Sequence, residues 1–153
     1  VQLDGYCDMT IKMKKDTIVN KLQYGIVRVN GNSESWIGGT DNDGKITEKV
    51  RELGHSYAVN YDNKAPTITP VNPARWVDQR KIVIRFSDNK SGVRSYKGTI
   101  DGEFVLFEND TKKPDYTYYF DAKRLKKGKT HKFVFTATDA CGNIAKYEYD
   151  FKY

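Results

Sequence analysis

Two short turns carry side-chain oxygens of the kind that bind calcium. Asp88 and Asn89 begin the stretch Asp-Asn-Lys-Ser-Gly, and Asp139 and Asn143 bracket the stretch Asp-Ala-Cys-Gly-Asn. Carboxylate and amide oxygens on adjacent loops are what a calcium site requires, so these four residues are candidate metal ligands. The alternative is that the Asp and Asn side chains accept hydrogen bonds from the backbone of their own turns. No other cofactor is expected.

A run of basic side chains is a second candidate site. Residues 1–64 contain nine Lys or Arg and nine Asp or Glu, so the formal net charge of +6 belongs entirely to residues 65–153. Such a patch is suited to holding a protein against an anionic surface glycan. Alternatively, Leu125 closes one end of the fold while the lysines keep an edge soluble. The candidate binding residues are Lys123, Arg124, Lys126, Lys127, Lys129 and Lys132.

The supply of nucleophiles and bases argues against an enzyme. A nucleophilic Cys7 or Cys141 would need His55 or His131, the only histidines, as its base. His131 and Cys141 lie at opposite ends of one predicted strand, too far apart to interact. The spacing of the two cysteines gives no argument for a disulfide, and we expect two small unpaired hydrophobic side chains.

Composition excludes further classes of protein. A charged fraction of 30% and a mean hydropathy of −0.74 exclude a membrane-spanning segment. Basic charge alone does not predict nucleic-acid binding, because no recognition helix, RNP-like phrase or zinc finger accompanies it. The first residues, Val1 to Tyr6, resemble no secretory leader, so we expect a processed or excised piece of a longer protein.

A C-terminal hairpin, His131 to Phe151, organises the elements that must position these residues. Phe133 and Phe135 alternate with Val134 and Thr136 before the Asp139 turn, and Tyr147 alternates with charged residues after it, as does Tyr149. This period-two alternation predicts two antiparallel strands with one aromatic face. Because an isolated hairpin is marginally stable in water, that face must pack against other strands.

The remaining sequence supplies those strands. We predict about five short strands before Asp62, with turns at Asn30-Gly31 and Asp43-Gly44, and a boundary at the Pro66 region. The sequence thus divides into a small β-rich module, residues 1–64, and a second module, residues 65–153. Seven predicted strands in the second module match an immunoglobulin-like sandwich. The fold class is all-β, with two small β-sandwich modules. The seven strands are 67–71, 81–86, 95–100, 103–108, 116–120, 131–138 and 145–151.

Several phrases together resemble a known family. They include Ala65-Pro66-Thr67-Ile68-Thr69-Pro70, Asp88-Asn89-Lys90-Ser91-Gly92-Val93 and Thr138-Asp139-Ala140-Cys141-Gly142-Asn143. In order and spacing they resemble the C-terminal immunoglobulin-like region of lysostaphin-like zinc metallopeptidases, the peptidoglycan endopeptidases of Gram-negative bacteria. In the first half, Trp36-Ile37-Gly38-Gly39 fits as well.

The resemblance implies a non-catalytic tail rather than the peptidase itself. The family's zinc motifs are His-x-x-x-Asp and His-x-His, and here Val59 and Phe135 stand four residues after the two histidines. The implied function is to position a catalytic domain of the same polypeptide near peptidoglycan, in the periplasm or at the cell surface. The alternative is an independent module that binds a surface glycan or a protein.

Overall fold

Side-chain alternation with a period of two produces almost all of the secondary structure. The computed structural model describes residues 2–153 and is 58% strand and 7% helix. Its strands form four antiparallel sheets, so the predicted all-β fold class is confirmed. Within the described residues, no helix combines the length and the hydropathy needed to cross a bilayer.

Packing divides the chain into two units, each with its own hydrophobic core. Unit 1 comprises residues 2–64 together with the turns 89–92 and 140–143. Unit 2 comprises residues 65–88, 93–139 and 144–153.

Unit 1 contains two three-stranded sheets, β3-β2-β6 and β1-β5-β4. Buried Tyr24 and Ile26 from the first sheet meet buried Ile46 from the second, so the two sheets share one core. The predicted strands are present, and the structure adds the short β4. The strands are β1 (Gln2–Lys12), β2 (Tyr24–Asn30), β3 (Ser33–Gly38), β4 (Thr40–Asn42), β5 (Lys45–Glu52) and β6 (Ser56–Tyr61).

One side of this sandwich is closed by a glycine corner. The chain passes from β3 to β4 through Gly38 and Gly39, whose φ angles are 123° and 140°. A Cβ on Gly39 would lie 2.6 Å from Cγ2 of Ile46, so only glycine fits there. Because β3 and β4 are the outer strands that meet at this corner, the outer strands β6 and β1 flank the other side.

Unit 2 is an immunoglobulin-like sandwich of two four-stranded sheets, β11-β12-β8-β7 and β10-β9-β13-β14. Its one short α-helix is α1 (Trp76–Gln79). The strands are β7 (Thr67–Pro70), β8 (Lys81–Ser87), β9 (Val93–Ile100), β10 (Glu103–Val105), β11 (Glu108–Asn109), β12 (Tyr116–Tyr119), β13 (Thr130–Asp139) and β14 (Ile144–Lys152).

The C-terminal hairpin forms as the alternation predicts. Phe133 pairs with Tyr149 and Phe135 pairs with Tyr147 across β13 and β14. Phe133 and Phe135 are fully buried, and Trp76 packs edge-on against Phe133 with ring centroids 5.7 Å apart. The aromatic face of this hairpin is therefore the centre of the unit 2 core.

One predicted strand of unit 2 is wrong. The segment 103–108 was expected to be continuous, but it forms β10 in one sheet and β11 in the other. Between them Phe107 is buried, with 3% exposure, and the edge of its ring lies against Gly98. The chain changes sheets here, which gives eight strands instead of about seven.

Candidate functional site

The predicted basic residues lie around one loop of unit 2. We define the basic loop as residues 121–129, between β12 and β13; Lys132 follows it within β13. Its fold is fixed at the start by Asp121, whose carbonyl accepts hydrogen bonds from the N–H groups of Arg124 and Leu125. The Leu125 side chain is 3% exposed and belongs to the core, whereas all six basic residues are exposed. The loop therefore combines a buried anchor with a charged outer surface.

A buried histidine holds the end of the basic loop to the β9–β10 turn. The Nδ1 atom of His131 lies 2.7 Å from Oδ2 of Asp101, and its Nε2 atom lies 2.9 Å from the carbonyl oxygen of Lys126. Because Asp101 and the Lys126 carbonyl both act as acceptors, this geometry favours the protonated ring, in which both nitrogens donate. The backbone N–H of Lys132 also donates to Asp101.

The pKa values of this pair follow from the geometry. Burial opposes the charge on His131, but its hydrogen bonds to Asp101 and to the Lys126 carbonyl outweigh burial and raise its pKa. Burial likewise opposes ionisation of Asp101, yet the hydrogen bonds from His131 and from the Lys132 backbone lower the pKa of that carboxyl. The charged pair stabilises this end of the sandwich.

Beside the basic loop is a cavity of about 280 Å³, which we call the Arg124 pocket. Pockets for drug-sized ligands begin at about 300 Å³, so this one suits a single sugar ring or amino acid. Its lining includes acidic side chains, one basic side chain and several apolar side chains. Its lining residues are Ile100, Asp101, Glu103, Val105, Tyr118, Arg124 and Leu125.

Two polar groups make the Arg124 pocket suitable for a hydroxyl or carboxylate. The Arg124 guanidinium is fixed by one hydrogen bond, 2.5 Å long, to the carbonyl oxygen of Phe104, which leaves its other N–H groups for a ligand. Tyr118 is 6% exposed, and its hydroxyl makes no hydrogen bond of good geometry within residues 2–153, although the Asp121 backbone lies close enough to affect its pKa. Burial raises the pKa of Tyr118, so this phenol remains a neutral donor.

Sequence reasoning identified the basic residues but missed their neighbours. Asp101 and Glu103 come from the β9–β10 hairpin, which reaches the basic loop through the pairing of β9 with β13. Tyr118 comes from β12, the strand directly before the loop. The Asp101-Gly102 turn was visible in the sequence, but the register between non-consecutive strands was not.

The four predicted calcium ligands divide between the units. Asp88 and Asp139 belong to unit 2, where their carboxylate oxygens lie within 4.8 Å of one another and Asp139 is fully buried. Asn89, which is exposed, and Asn143 belong to unit 1. The Asn143 amide accepts a hydrogen bond from Gln23 Nε2 at 3.0 Å.

Both interpretations of these turns therefore remain predictions. The two carboxylates of unit 2 are close enough to share a cation, and the Asn143 amide also donates to the Asp62 carbonyl at 3.0 Å, which is a structural role. A calcium-dependent shift in Tm that disappears in Asp139→Ala would support the metal site. No shift at millimolar calcium would reject it.

The remaining candidate catalytic residues are the two cysteines and His55. No disulfide bond joins Cys7 and Cys141. His55 is exposed and pairs with Glu52 across 3.1 Å.

Comparison with known proteins gives one family match, and it covers the N-terminal segment of the chain. Residues 1–62 match the model of the Zu5-like domain. No curated protein matches the chain significantly. A solved structure, the crystal structure of a chicken TCR, aligns with a TM-score of 0.25 and 6% sequence identity, over 98% of this chain and 94% of that chain. These comparisons identify no catalytic family.

Proposed function

We propose that this chain is a non-catalytic, cell-envelope β-sandwich module that binds an anionic wall glycan through the basic loop. The polymer would lie along the loop lysines and place one ring or peptide carboxylate in the Arg124 pocket. The observation that carries the proposal is the exposure of all six basic residues around one anchored loop, beside that pocket.

The electrostatics of this surface favour a polyanion. Of the six basic side chains, only Lys132 makes an ion pair within the described chain, at 3.5 Å from Glu148. The other five side chains make no ion pair there and are exposed, so they are accessible to a ligand. Individual exposed ion pairs contribute at most about 1 kcal/mol, so binding would depend on several acting together.

The test is retention of the full chain on purified peptidoglycan sacculi across a salt series. We expect retention at low salt and its loss as the Debye length falls to about 3 Å at 1 M salt. Replacing Lys126, Lys127 and Lys129 with Glu should abolish retention at all salt concentrations.

A matched triple variant separates the patch from net charge. Lys45, Lys49 and Lys97 are also exposed but belong to β5 and β9 and not to the basic loop. Either triple brings the formal net charge from +6 to zero, so non-specific attraction should weaken equally in both. Equal retention of the two variants, or retention that ignores salt, would reject the patch.

We further propose that the module is the tail of a metallopeptidase. This more specific role rests on the resemblance of several sequence motifs to that family. The tail would keep a catalytic domain of the same polypeptide close to its wall substrate. A reading frame that encodes a peptidase domain with the zinc ligands upstream of Val1 would support this role. A secretory leader directly before Val1 would instead favour an independent glycan- or protein-binding module.

A further inference from the structure

A second cavity lies within unit 1, on the side away from the glycine corner. It has a volume of about 740 Å³ and follows β6 on one side and the end of β1 with the segment after it on the other. We call it the β6 groove. Its lining comes from residues 11–15, 17–18 and 57–61 and from Tyr24.

The β6 groove runs beside an unpaired strand edge. β6 is the outer strand of its sheet and pairs only with β2. Asp62 N–H donates to the Gln23 carbonyl at 2.9 Å, directly after the strand. Because hydrogen-bonded pairs alternate along an antiparallel ladder, the backbone groups of Tyr57 and Val59 point away from β2. They form a ready template for another strand.

The opposite wall of the β6 groove is held in place by a buried phenol. The Tyr24 hydroxyl accepts hydrogen bonds from the N–H groups of Thr17 and Ile18, at 3.2 and 3.0 Å, and donates to Asp16 at 2.9 Å. These hydrogen bonds tie the wall to β2. The floor of the groove is apolar, because Ile18, Tyr57 and Val59 pack on the unit 1 core.

The charge on the β6 groove has one sign. Lys12, Lys14 and Lys15 line it and are exposed, and the lining contains no Asp or Glu. None of these three lysines makes an ion pair with any residue from 2 to 153. The nearby carboxylate of Asp16 is bound to Lys21 and Tyr24 instead.

From these features we propose that unit 1 binds an acidic peptide in extended conformation, which adds a strand to the free edge of β6. Backbone hydrogen bonds to Tyr57 and Val59 would supply affinity. Alternate apolar side chains would enter the groove, and acidic side chains would meet Lys12, Lys14 and Lys15. The one-sided charge selects an acidic partner and excludes a basic one.

The probe is a fluorescein-labelled decapeptide of alternating Val and Glu, titrated with the full chain and followed by anisotropy. We expect saturable binding that weakens at least tenfold from 50 to 500 mM salt. Amide chemical-shift changes in the protein should be confined to β6 and residues 11–18. The Lys12, Lys14 and Lys15 triple Glu variant should bind at least tenfold more weakly, and a matched variant at Lys112, Lys113 and Lys152 should not.

Blocking the strand edge tests the geometry. Val59→Pro removes one outward N–H while leaving the β2 ladder intact, so it should lose binding, whereas Val59→Thr should retain it. If the proline variant fails to fold, the strand-edge geometry can be tested instead by binding modified peptides to the unchanged protein. In an extended peptide of alternating Val and Glu, the Val N–H groups lie along one edge and the Glu N–H groups along the other. Only one edge pairs with β6, so N-methylation should abolish binding when it is placed on one residue type and not when it is placed on the other.

Several results would overturn the proposal. The first is that the peptide shows no saturable binding at millimolar concentration. The second is that the two N-methylation patterns have equal effects. The third is that an alternating Val–Lys decapeptide binds equally tightly. Displacement of the peptide by dextran sulfate at equal charge concentration would also overturn it, because it would show a general polyanion surface.

Discussion

His131 is a titratable residue with almost no exposure to solvent. Its two hydrogen bonds, to Asp101 and to the Lys126 carbonyl, hold the imidazolium form. A raised histidine pKa means that the folded state holds this proton more tightly than the unfolded chain. The stabilisation is therefore complete below the unfolded pKa of about 6.5 and is lost as pH rises through the folded value. Asp101 acts in the opposite direction, because its lowered pKa stabilises above about 4 and is lost at lower pH.

We accordingly predict that the free energy of unfolding falls as pH rises above about 6.5. Urea denaturation across pH 5–9, with NMR titration of the His131 ring, would measure the fall and the pKa together. Asp101→Asn removes the carboxylate and should flatten this dependence. A slope that is the same in Asp101→Asn and in the parent chain would contradict the assignment.

The sequence did not predict this pair, for a physical reason. His131 and Asp101 are 30 residues apart, and their contact depends on the register that places Ile100 opposite Phe133. Local alternation determines which face a side chain occupies, but not which strand lies beside it. Single residues with strong local signals, such as the exposed lysines of the basic loop, were therefore easier to identify than their partners.

At the scale of the element, β9 depends on one residue without a side chain. A Cβ on Gly98 would lie 2.4 Å from Cε2 of Phe107, whose ring is buried where the chain changes sheets. Gly98→Ala should destabilise the protein by about 1–3 kcal/mol, the usual cost of overpacking. Urea unfolding would measure it, with exposed Ser95→Ala on the same strand as control. Phe107→Leu should reduce the cost of Gly98→Ala, and strict additivity of the two changes would contradict this contact.

The basic loop depends on Leu125. Truncation to Ala should cost about 2–5 kcal/mol, because it leaves a cavity in the core. It should also lower retention on sacculi by releasing the loop. Leu106→Ala is the matched control, since that side chain is 62% exposed and should change stability little. If the two leucine variants unfold at the same urea concentration, Leu125 is not the anchor.

Element prediction succeeded where the pattern was strong. The hairpin of β13 and β14 and the Asp101-Gly102 turn, with φ angles of 52° and 85°, were readable from alternation and turn chemistry. The Asn30-Gly31 turn was displaced by one residue, because Asn30 pairs with Ser33 and the loop is Gly31-Asn32. The split between β10 and β11 was not readable, since residues 104–107 are an unbroken apolar run with no turn residue to mark the change of sheets.

For the whole molecule, charge asymmetry is the property with a functional consequence. If the basic loop binds carboxylates of the wall, retention on sacculi should disappear as pH falls through about 4, where carboxylates protonate. A sulfated polymer keeps its charge at that pH and serves as the control ligand. Undiminished retention on sacculi at pH 3, with the protein still folded by circular dichroism, would exclude carboxylates as the ligand.

The all-β class and the excess of charge in residues 65–153 were available from the sequence because both are compositional. The assignment of residues 89–92 and 140–143 to unit 1 was not. It follows from contacts such as Cys141 Sγ to the Gln23 carbonyl, at 3.7 Å, between residues far apart in the chain. A single boundary position in the sequence cannot describe this arrangement, because two turns from the second half of the chain belong to unit 1.

The lysines beside β6 have a further consequence for behaviour in concentrated solution. Two copies that met edge to edge would bring Lys12, Lys14 and Lys15 of each close to those of the other, and like charges at that distance repel. The strand that invites a foreign segment is thereby protected from self-recognition. Neutralising these lysines should increase self-association into dimers or fibrils relative to the parent chain, and light scattering would detect the change.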